Sequence, residues 1–219
     1  IWKGLVGSEM CIRDSFTCGW YHRPHFTLGR LNMNVSDAVA ARRSIRSFLD
    51  TPVSDDAIRE LLAKSARAPS GGNVQPWQIQ VINGARMQDF LSHLSAHQSR
   101  ETPAYDIYPK DLPSPYRDSR FKVGEAMYGL LGIPRDDKAA RFAHLARNFE
   151  FFGAPAAFFC LIDENMGPPQ WSDLGMFLQT FMLLAQEAGI DTCAQEAWAT
   201  RPKAVTCLLY TSDAADDGL

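Results

Sequence analysis

A long apolar stretch at residues 171–188 constrains the fold of this chain more than any other feature of its sequence. Apolar side chains surround nearly the whole predicted helix, which is typical of a helix buried on all sides. A membrane span needs about 18 uninterrupted apolar residues, whereas this stretch is interrupted by Asp173, Gln179, Gln186 and Glu187. The helix is therefore expected inside a core or in a subunit interface, and Gly189 is placed to end it.

The remaining patterns predict several helices and few strands. Ser54 is expected to cap a helix whose first turn holds Asp55 and Asp56, because the helix dipole favours anions at that end. Alternating polar and apolar residues at 77–81 predict a half-buried strand, and the apolar run at 156–162 predicts a buried one. Since strands are too sparse for regular βαβ alternation, the expected fold class is α+β.

The composition limits both the size of the protein and its partners. A chain of 219 residues with 46% hydrophobic and 21% charged residues is expected to form one globular domain. A net charge of −3 offers no basic field for nucleic acid. The five cysteines lack CxxC pairs, which predicts a reducing cytoplasm rather than a disulfide framework or a zinc site. His93 and His97 have the spacing of a zinc protease helix without its glutamate, so no metal site is predicted.

The two ends of the chain differ from its middle. Residues 1–32 and 206–219 carry no convincing amphipathic pattern, and their outermost parts resemble translated adapter read-through from gene assemblies. A signal peptide is not expected, since no apolar stretch of about 7–15 residues is present at the start. The expected domain therefore covers residues 33–205, beginning at Met33 and incomplete at its C-terminus.

The first candidate site is the arginine segment at residues 42–46, within the sequence RRSIRSF. A phosphate monoester carries close to two negative charges and favours several donors. Guanidinium forks and a hydroxyl supply such donors, here from Arg42, Arg43, Ser44 and Arg46. The same cations would also suit the exposed C-terminal end of a helix, so the segment alone leaves both interpretations open.

The second candidate is the glycine loop at residues 69–73, within PSGGNVQPW. Glycine lets the backbone approach a flat ligand closely, while short polar side chains offer hydrogen bonds. The residues concerned are Pro69, Ser70, Gly71 and Asn73. The alternative is an ordinary helix-to-strand turn.

The third candidate is the edge segment at residues 194–197, within GIDTCAQEAW, which directly follows the long apolar helix. Its backbone amides could face a ligand, although an ordinary loop would have the same pattern. It consists of Ala194, Gln195, Glu196 and Ala197. The neighbouring Cys193 is interpreted as a small buried thiol rather than as a nucleophile.

In this order and spacing, the three segments resemble the nitroreductase family. The sequences NFEFFGAPA at 148–156 and WSDLGMFLQTFMLLAQEAG at 171–189 are similar to the same family, so the resemblance covers about residues 35–203. It implies a homodimer with a mixed central sheet surrounded by helices, and flavin mononucleotide (FMN) at the subunit interface. The family usually continues further, with a strand that reaches the partner. Weak FMN binding or misfolding is therefore expected of this chain.

The resemblance also implies a role for each segment. The arginine segment would contact the ribityl phosphate, and the glycine loop would approach the flavin ring from the other subunit. The edge segment would line the reactive edge of the ring, with a backbone amide near Glu196 close to the hydride-accepting nitrogen. No catalytic side chain is required, because a flavin carries the electron chemistry itself.

The implied reaction is hydride transfer from NAD(P)H, as co-substrate, through FMN to a small-molecule acceptor by a ping-pong mechanism. Nitroaromatics and quinones are the implied acceptors. The alternatives are a flavin-binding protein without turnover, or a dehalogenase or desaturase of the same family. Tyr105, Tyr108 and Tyr116 lie in a proline-rich loop, where they either stack on an aromatic acceptor or simply anchor the loop.

Overall fold

The computed structural model describes residues 33–96 and 100–211, with side chains as far as residue 206. In these ranges the elements, in chain order, are α1 (Val35–Ala41), α2 (Asp55–Ser65), β1 (Gln78–Asn83), α3 (Ala85–Ala96), α4 (Tyr116–Leu130), α5 (Lys138–Ala146), β2 (Ala156–Leu161), α6 (Pro168–Glu187) and α7 (Pro202–Thr211). Short 3-10 segments lie at Gly71–Asn73, Arg147–Gly153 and Ala197–Thr200.

Local sequence signals explain where the helices begin and end. The Ser54 hydroxyl accepts a hydrogen bond from the Ala57 amide at 3.2 Å, which confirms the predicted cap of α2. Helix α6 begins with proline at its first position, where the missing N–H costs nothing. Gly189 follows α6 in the left-handed conformation, with φ +74°, as its predicted terminating role requires.

The two strands form one antiparallel pair, with Gln78 opposite Leu161 and Asn83 opposite Ala156. One hydrophobic cluster contains Phe90 from α3, Phe159 from β2 and Trp198. A second cluster contains residues of α2 and α6, with Phe158 of β2 packed against it. Because successive strand residues point to opposite faces, Phe158 and Phe159 link the sheet to a helical layer on each side.

The α+β class is confirmed, and the sheet is smaller than a mixed central sheet. In the described ranges it has two antiparallel strands, and parallel pairing is limited to one isolated bridge between Ser44 and Thr192. Residues 1–32, predicted to be a leader, lie outside the described residues. Helix α7 continues across the boundary predicted at residue 205, so the extent of the domain stays a prediction.

Helix α6 buries one face within the single chain. Leu174, Phe177 and Phe181 are buried, while Trp171 and Met176 on the same helix remain 44% and 38% exposed. Helix α6 is therefore not buried on all sides by the described residues. Of the two environments expected from the sequence, a core or a subunit interface, the exposed face is consistent with an interface.

Helices α4 and α5 are linked mainly through the side chain of Arg141. Arg141 of α5 forms an ion pair with Glu125 of α4 at 2.6 Å and lies over the Tyr128 ring. None of the residues in either helix is buried, and Phe121 and Phe142 are exposed. This region therefore presents apolar surface that the other described residues leave uncovered.

Candidate functional site

The arginine segment lies directly beside the chain that leads into the edge segment. Ser44 and Thr192 form a parallel bridge, and the Ile45 amide donates to the Thr192 carbonyl at 3.1 Å. Two of the three predicted segments, far apart in sequence, are thus joined by backbone hydrogen bonding. The bridge also places Arg46 close enough to Cys193 to act on the pKa of its thiol.

Two guanidinium groups lie near one aromatic ring, that of Phe152. The guanidinium carbon of Arg46 lies 6.0 Å from the centroid of Phe152, and that of Arg147 lies 5.7 Å from it. Neither arginine forms an ion pair with a carboxylate of the described residues. Two cations near one ring, without a counter-charge among the described residues, create positive potential that favours the binding of an anion.

His144 lies against the same arginine pair. Burial lowers the pKa of His144 most, and the nearby charges of Arg147 and Arg46 lower it further. Its Nε2 atom is buried and has no hydrogen-bond partner among the described residues. The neighbourhood of Phe152 therefore combines positive potential with an unused polar atom.

Arg43 has a different set of contacts from Arg46. Its Nη1 atom donates to the carbonyls of Ala40 and Arg42, at 2.6 and 2.9 Å, where α1 ends. This is the helix-end arrangement that the sequence left open. A phosphate contact for Arg43, as for Arg42 and Ser44, stays a prediction.

The edge segment is held by side chains from two other parts of the chain. The Gln195 side-chain amide donates to the backbone carbonyl and to the side-chain oxygen of Asn148, at 3.0 and 3.1 Å. The Tyr105 hydroxyl donates to the Glu196 carboxylate. Burial, and then that carboxylate, raise the pKa of Tyr105, so the hydroxyl stays protonated. Its ring meets Trp171 edge-on at 5.2 Å, so Tyr105 anchors its loop to the segment.

The glycine loop is positioned by α6. The Gly71 amide donates to both carboxylate oxygens of Asp173, each at 3.3 Å, and Asp173 is only 4% exposed. Gly72 and Asn73 adopt left-handed backbone conformations, with φ +59° and +57°. A Cβ atom at Gly71 would meet nothing within 4 Å, so packing inside the chain does not require a glycine there. Close approach of a ligand from outside the chain would explain why a glycine stands at position 71.

Sequence reasoning missed three residues of this site. Arg147 directly precedes the sequence NFEFFGAPA, and Asn148 is its first residue. The sequence pattern assigns neither residue a role. Asp173 was counted only as an interruption of an apolar helix. A carboxylate inside an otherwise apolar helix is costly to bury without a partner. That signal could have identified Asp173 as a hydrogen-bond acceptor for another segment.

Other chemistry has less support in the described part of the chain. Burial raises the pKa of the Cys193 thiol, against the opposing effect of Arg46, which suits a buried structural thiol. No group of three or more His, Cys, Asp or Glu side chains converges there in a metal-binding arrangement. His97 lies outside the described residues. None of the described helices is both long and apolar enough to cross a membrane.

The fold and the site define an α+β protein in which the arginine segment is joined by backbone hydrogen bonding to the chain that leads into the edge segment. The chain belongs to the nitroreductase family: the model of the Nitroreductase family matches residues 39–212. That range contains the arginine segment, the glycine loop and the edge segment.

Similar proteins are known both as sequences and as structures. The 4-nitrobenzoate reductase of Pseudomonas putida is 38% identical over 179 residues, which cover 81% of this chain and 79% of that protein. The FMN and NADPH-dependent nitroreductase NfnB from Sphigopyxis sp. strain HMH is 45% identical, with a TM-score of 0.77 over 80% of this chain and 81% of its own. The FMN-dependent nitroreductase NfnB from Mycobacterium smegmatis, in complex with NADPH, is 25% identical, with a TM-score of 0.72 over 80% and 79%.

Proposed function

We propose that this protein is an FMN-dependent NAD(P)H oxidoreductase that reduces nitroaromatic compounds. Quinones are proposed as further acceptors, a ping-pong cycle as the mechanism, and a cytoplasmic homodimer as the working form. The family membership supports the reaction class, and the NfnB structures are described as FMN- and NADPH-dependent. NADPH is therefore the reductant to test first.

The arginine pair is the observation that carries this proposal. Arg46 and Arg147 lie over Phe152 without a carboxylate partner among the described residues. The phosphate monoester of FMN supplies the missing negative charge, and FMN, when bound, supplies the hydride-transfer chemistry. The open space at Gly71 suits the close approach of a flat ring.

Each segment then has a role in binding and orientation. Arg42, Ser44 and Arg46 hold the phosphate, with Arg43 at its margin. Backbone amides of the edge segment line the reactive edge of the ring, and Gln195 fixes their position through Asn148. Tyr105 and Trp171 close the side of the pocket next to Glu196 and limit the entry of water.

The homodimer is supported by the surfaces that one chain leaves open. The glycine loop is exposed apart from the half-buried Ser70, so it is available to a flavin bound by a second subunit. Trp171 of α6, Phe121 of α4 and Phe142 of α5 are also exposed. Pairing two chains would bury such apolar surface and complete two equivalent sites by symmetry.

An absorbance experiment tests the proposed function directly. The purified protein is loaded with FMN, reduced anaerobically with NADPH or NADH, and then mixed with 4-nitrobenzoate. Bleaching of the flavin spectrum by the reductant, followed by its return on addition of the acceptor, is expected. A protein that binds FMN but is bleached by neither coenzyme would instead be a flavin-binding protein without turnover, and a colourless protein after FMN soaking would contradict the proposal altogether.

A further inference from the structure

Arg147 lies outside the arginine segment but near the same aromatic ring as Arg46. The geometry points to Arg147 as a second guanidinium that grips the FMN phosphate together with Arg46 and separates FMN from riboflavin. This inference rests on the proposed function, because it assigns a residue to the same flavin site. It adds a contact from the 3-10 segment that follows α5.

The position of Arg147 is fixed by several independent contacts. Its Nη2 atom donates to the Phe152 carbonyl at 3.5 Å, and its guanidinium lies over the Phe152 ring. The adjacent Asn148 accepts two hydrogen bonds from Gln195, which ties this turn to the edge segment. The arginine is half-buried, so its position is defined by packing as well as by hydrogen bonds.

The backbone that places the shared ring adopts an unusual conformation. Phe151 and Phe152 both have left-handed φ values, +48° and +54°, and Gly153 continues at +79°. Successive left-handed residues with large side chains are strained, and such strain concentrates where function requires one particular arrangement. Here the Phe152 ring lies within 6.0 Å of the guanidinium carbon of Arg46 and 5.7 Å of that of Arg147.

Charge gives the strongest reason for an anion at this point. Arg141 and Arg201 of the described chain are paired with carboxylates, those of Glu125 and Glu101. Arg46 and Arg147 have no such partner there, and together they disfavour protonation of His144. A dianionic phosphate would neutralise both cations and accept a hydrogen bond from each.

Substitution of Arg147 by methionine tests the inference through binding rather than through activity. The affinities of the dimeric protein for FMN and for riboflavin are measured by quenching of flavin fluorescence. Loss of one charge-assisted contact is expected to weaken FMN binding roughly 10- to 100-fold, with riboflavin affinity unchanged. The matched control is Arg120→Met, which removes a guanidinium that also lies over an aromatic ring, Tyr108 at 4.0 Å, but on α4.

A second variant keeps the test decisive if Arg147→Met fails to fold. Arg147→Lys retains the charge but loses the fork, so a partial loss of FMN affinity with unchanged riboflavin affinity is expected. An unchanged ratio of FMN to riboflavin affinity in the variant that folds would overturn the inference and leave the proposed function intact. Failure of the unsubstituted protein to bind FMN would overturn both.

The coenzyme offers another phosphate, and the same variants distinguish it. If Arg147→Met left FMN affinity unchanged and raised KM for NADPH but not for NADH, the anion would be the 2′-phosphate of the coenzyme. That result would overturn the assignment to FMN. Equal KM changes for both coenzymes, with a selective loss of FMN over riboflavin, would support it.

Discussion

The two halves of the candidate site are built in different ways. The arginine half, consisting of Arg42, Ser44, Arg46 and Arg147, is assembled inside one chain by the Ser44–Thr192 bridge and the shared Phe152 ring. The loop half, residues 69–73, is held from behind by Asp173 and remains largely exposed in front. The arginine half thus concentrates positive charge within one chain. The loop half is instead an exposed surface that Asp173 holds on its inner side.

This difference suits the proposed homodimer, in which each site would be divided between two copies of the chain. Each half is already ordered, so the loss of conformational entropy when the subunits and the ligand associate is small. The left-handed residues of the loop and of the Phe151–Phe152 pair store conformations that a flexible chain would rarely adopt. Experiments that damage one half at a time can therefore separate the two.

The largest expected effect comes from damaging the halves in separate subunits. Arg46→Glu reverses a charge of the arginine half, and Gly71→Trp blocks the loop half. Each variant alone is expected to lose FMN-dependent activity by more than about 100-fold, because each homodimer carries the same defect in both sites. Activity of the single variants and of a mixture that has been unfolded and refolded together is measured.

The mixture has a defined outcome if the halves come from different subunits. Random pairing gives mixed dimers in about half of the molecules, each with one intact site, so activity should return to about a quarter of the unsubstituted value. A mixture as inactive as its components would mean that both halves serve one site within the same chain.

A smaller effect is expected where Asp173 supports the loop half. Asp173→Leu removes the acceptor of the Gly71 amide, so the loop loses its anchor and a part-buried hydrogen bond is lost. The free energy of unfolding is expected to fall by about 1–3 kcal/mol. FMN and riboflavin affinities should fall together, since the loop is proposed to contact the ring and not the phosphate.

Denaturant unfolding and flavin titration measure these two effects. The matched control is Asp163→Asn, which alters an exposed carboxylate that also accepts a backbone amide, from Asn165 at 2.8 Å. A selective loss of FMN over riboflavin in Asp173→Leu would place the loop beside the phosphate and would erase the distinction between the two halves.

A change at the pocket wall should affect the acceptor more than the cofactor. Tyr105→Phe removes the hydroxyl that donates to Glu196, which leaves that carboxylate uncompensated and free to rotate. KM for 4-nitrobenzoate is expected to rise about 3-fold through charge repulsion, with KM for neutral nitrobenzene and the FMN affinity unchanged. Tyr108→Phe is the control, because Tyr108 faces Arg120 instead. Equal rises for both acceptors would assign Tyr105 a packing role only.

Much of the fold could be predicted because its signals are local. The cap at Ser54, the alternation that gives β1 and the terminating Gly189 depend on neighbouring residues, and the structure confirms all three. The sequence pattern also predicts a helix over residues 138–152, and this prediction is wrong beyond Ala146. Phe151 and Phe152 leave helical geometry there because tertiary packing places both rings in the interior.

The candidate site was predictable to the extent that its residues cluster in sequence. The arginine segment, the glycine loop and the edge segment are each contiguous, so their chemistry was visible before their arrangement. Arg147 and Asp173 act together with Arg46 and Gly71, which lie far away along the chain. For Asp173 the sequence indicates that a carboxylate within an apolar helix needs a partner, but not which residue that partner is. Arg43 lies within a segment that the sequence identifies, but its contacts could not be predicted. They depend on the residue at which α1 ends.

The smallest predicted effect uses His144 as a reporter of the arginine half. Burial lowers the pKa of His144, with further contributions from Arg147 and Arg46, and the rings of Tyr128 and Phe152 cover it. The unfolded chain therefore binds a proton more readily, so stability should rise as pH increases through the range below about 6.5 and then level off.

A ligand that neutralises Arg46 and Arg147 should weaken this pH dependence without abolishing it, because burial is the larger cause. The Tm of the protein is measured between pH 5 and 8 with and without FMN, and His144→Gln should flatten the profile by no more than about 2 °C. A profile that changes equally with riboflavin and with FMN would show that the phosphate does not reach this cluster. In that case the phosphate contacts of the arginine half would be limited to Arg42 and Ser44.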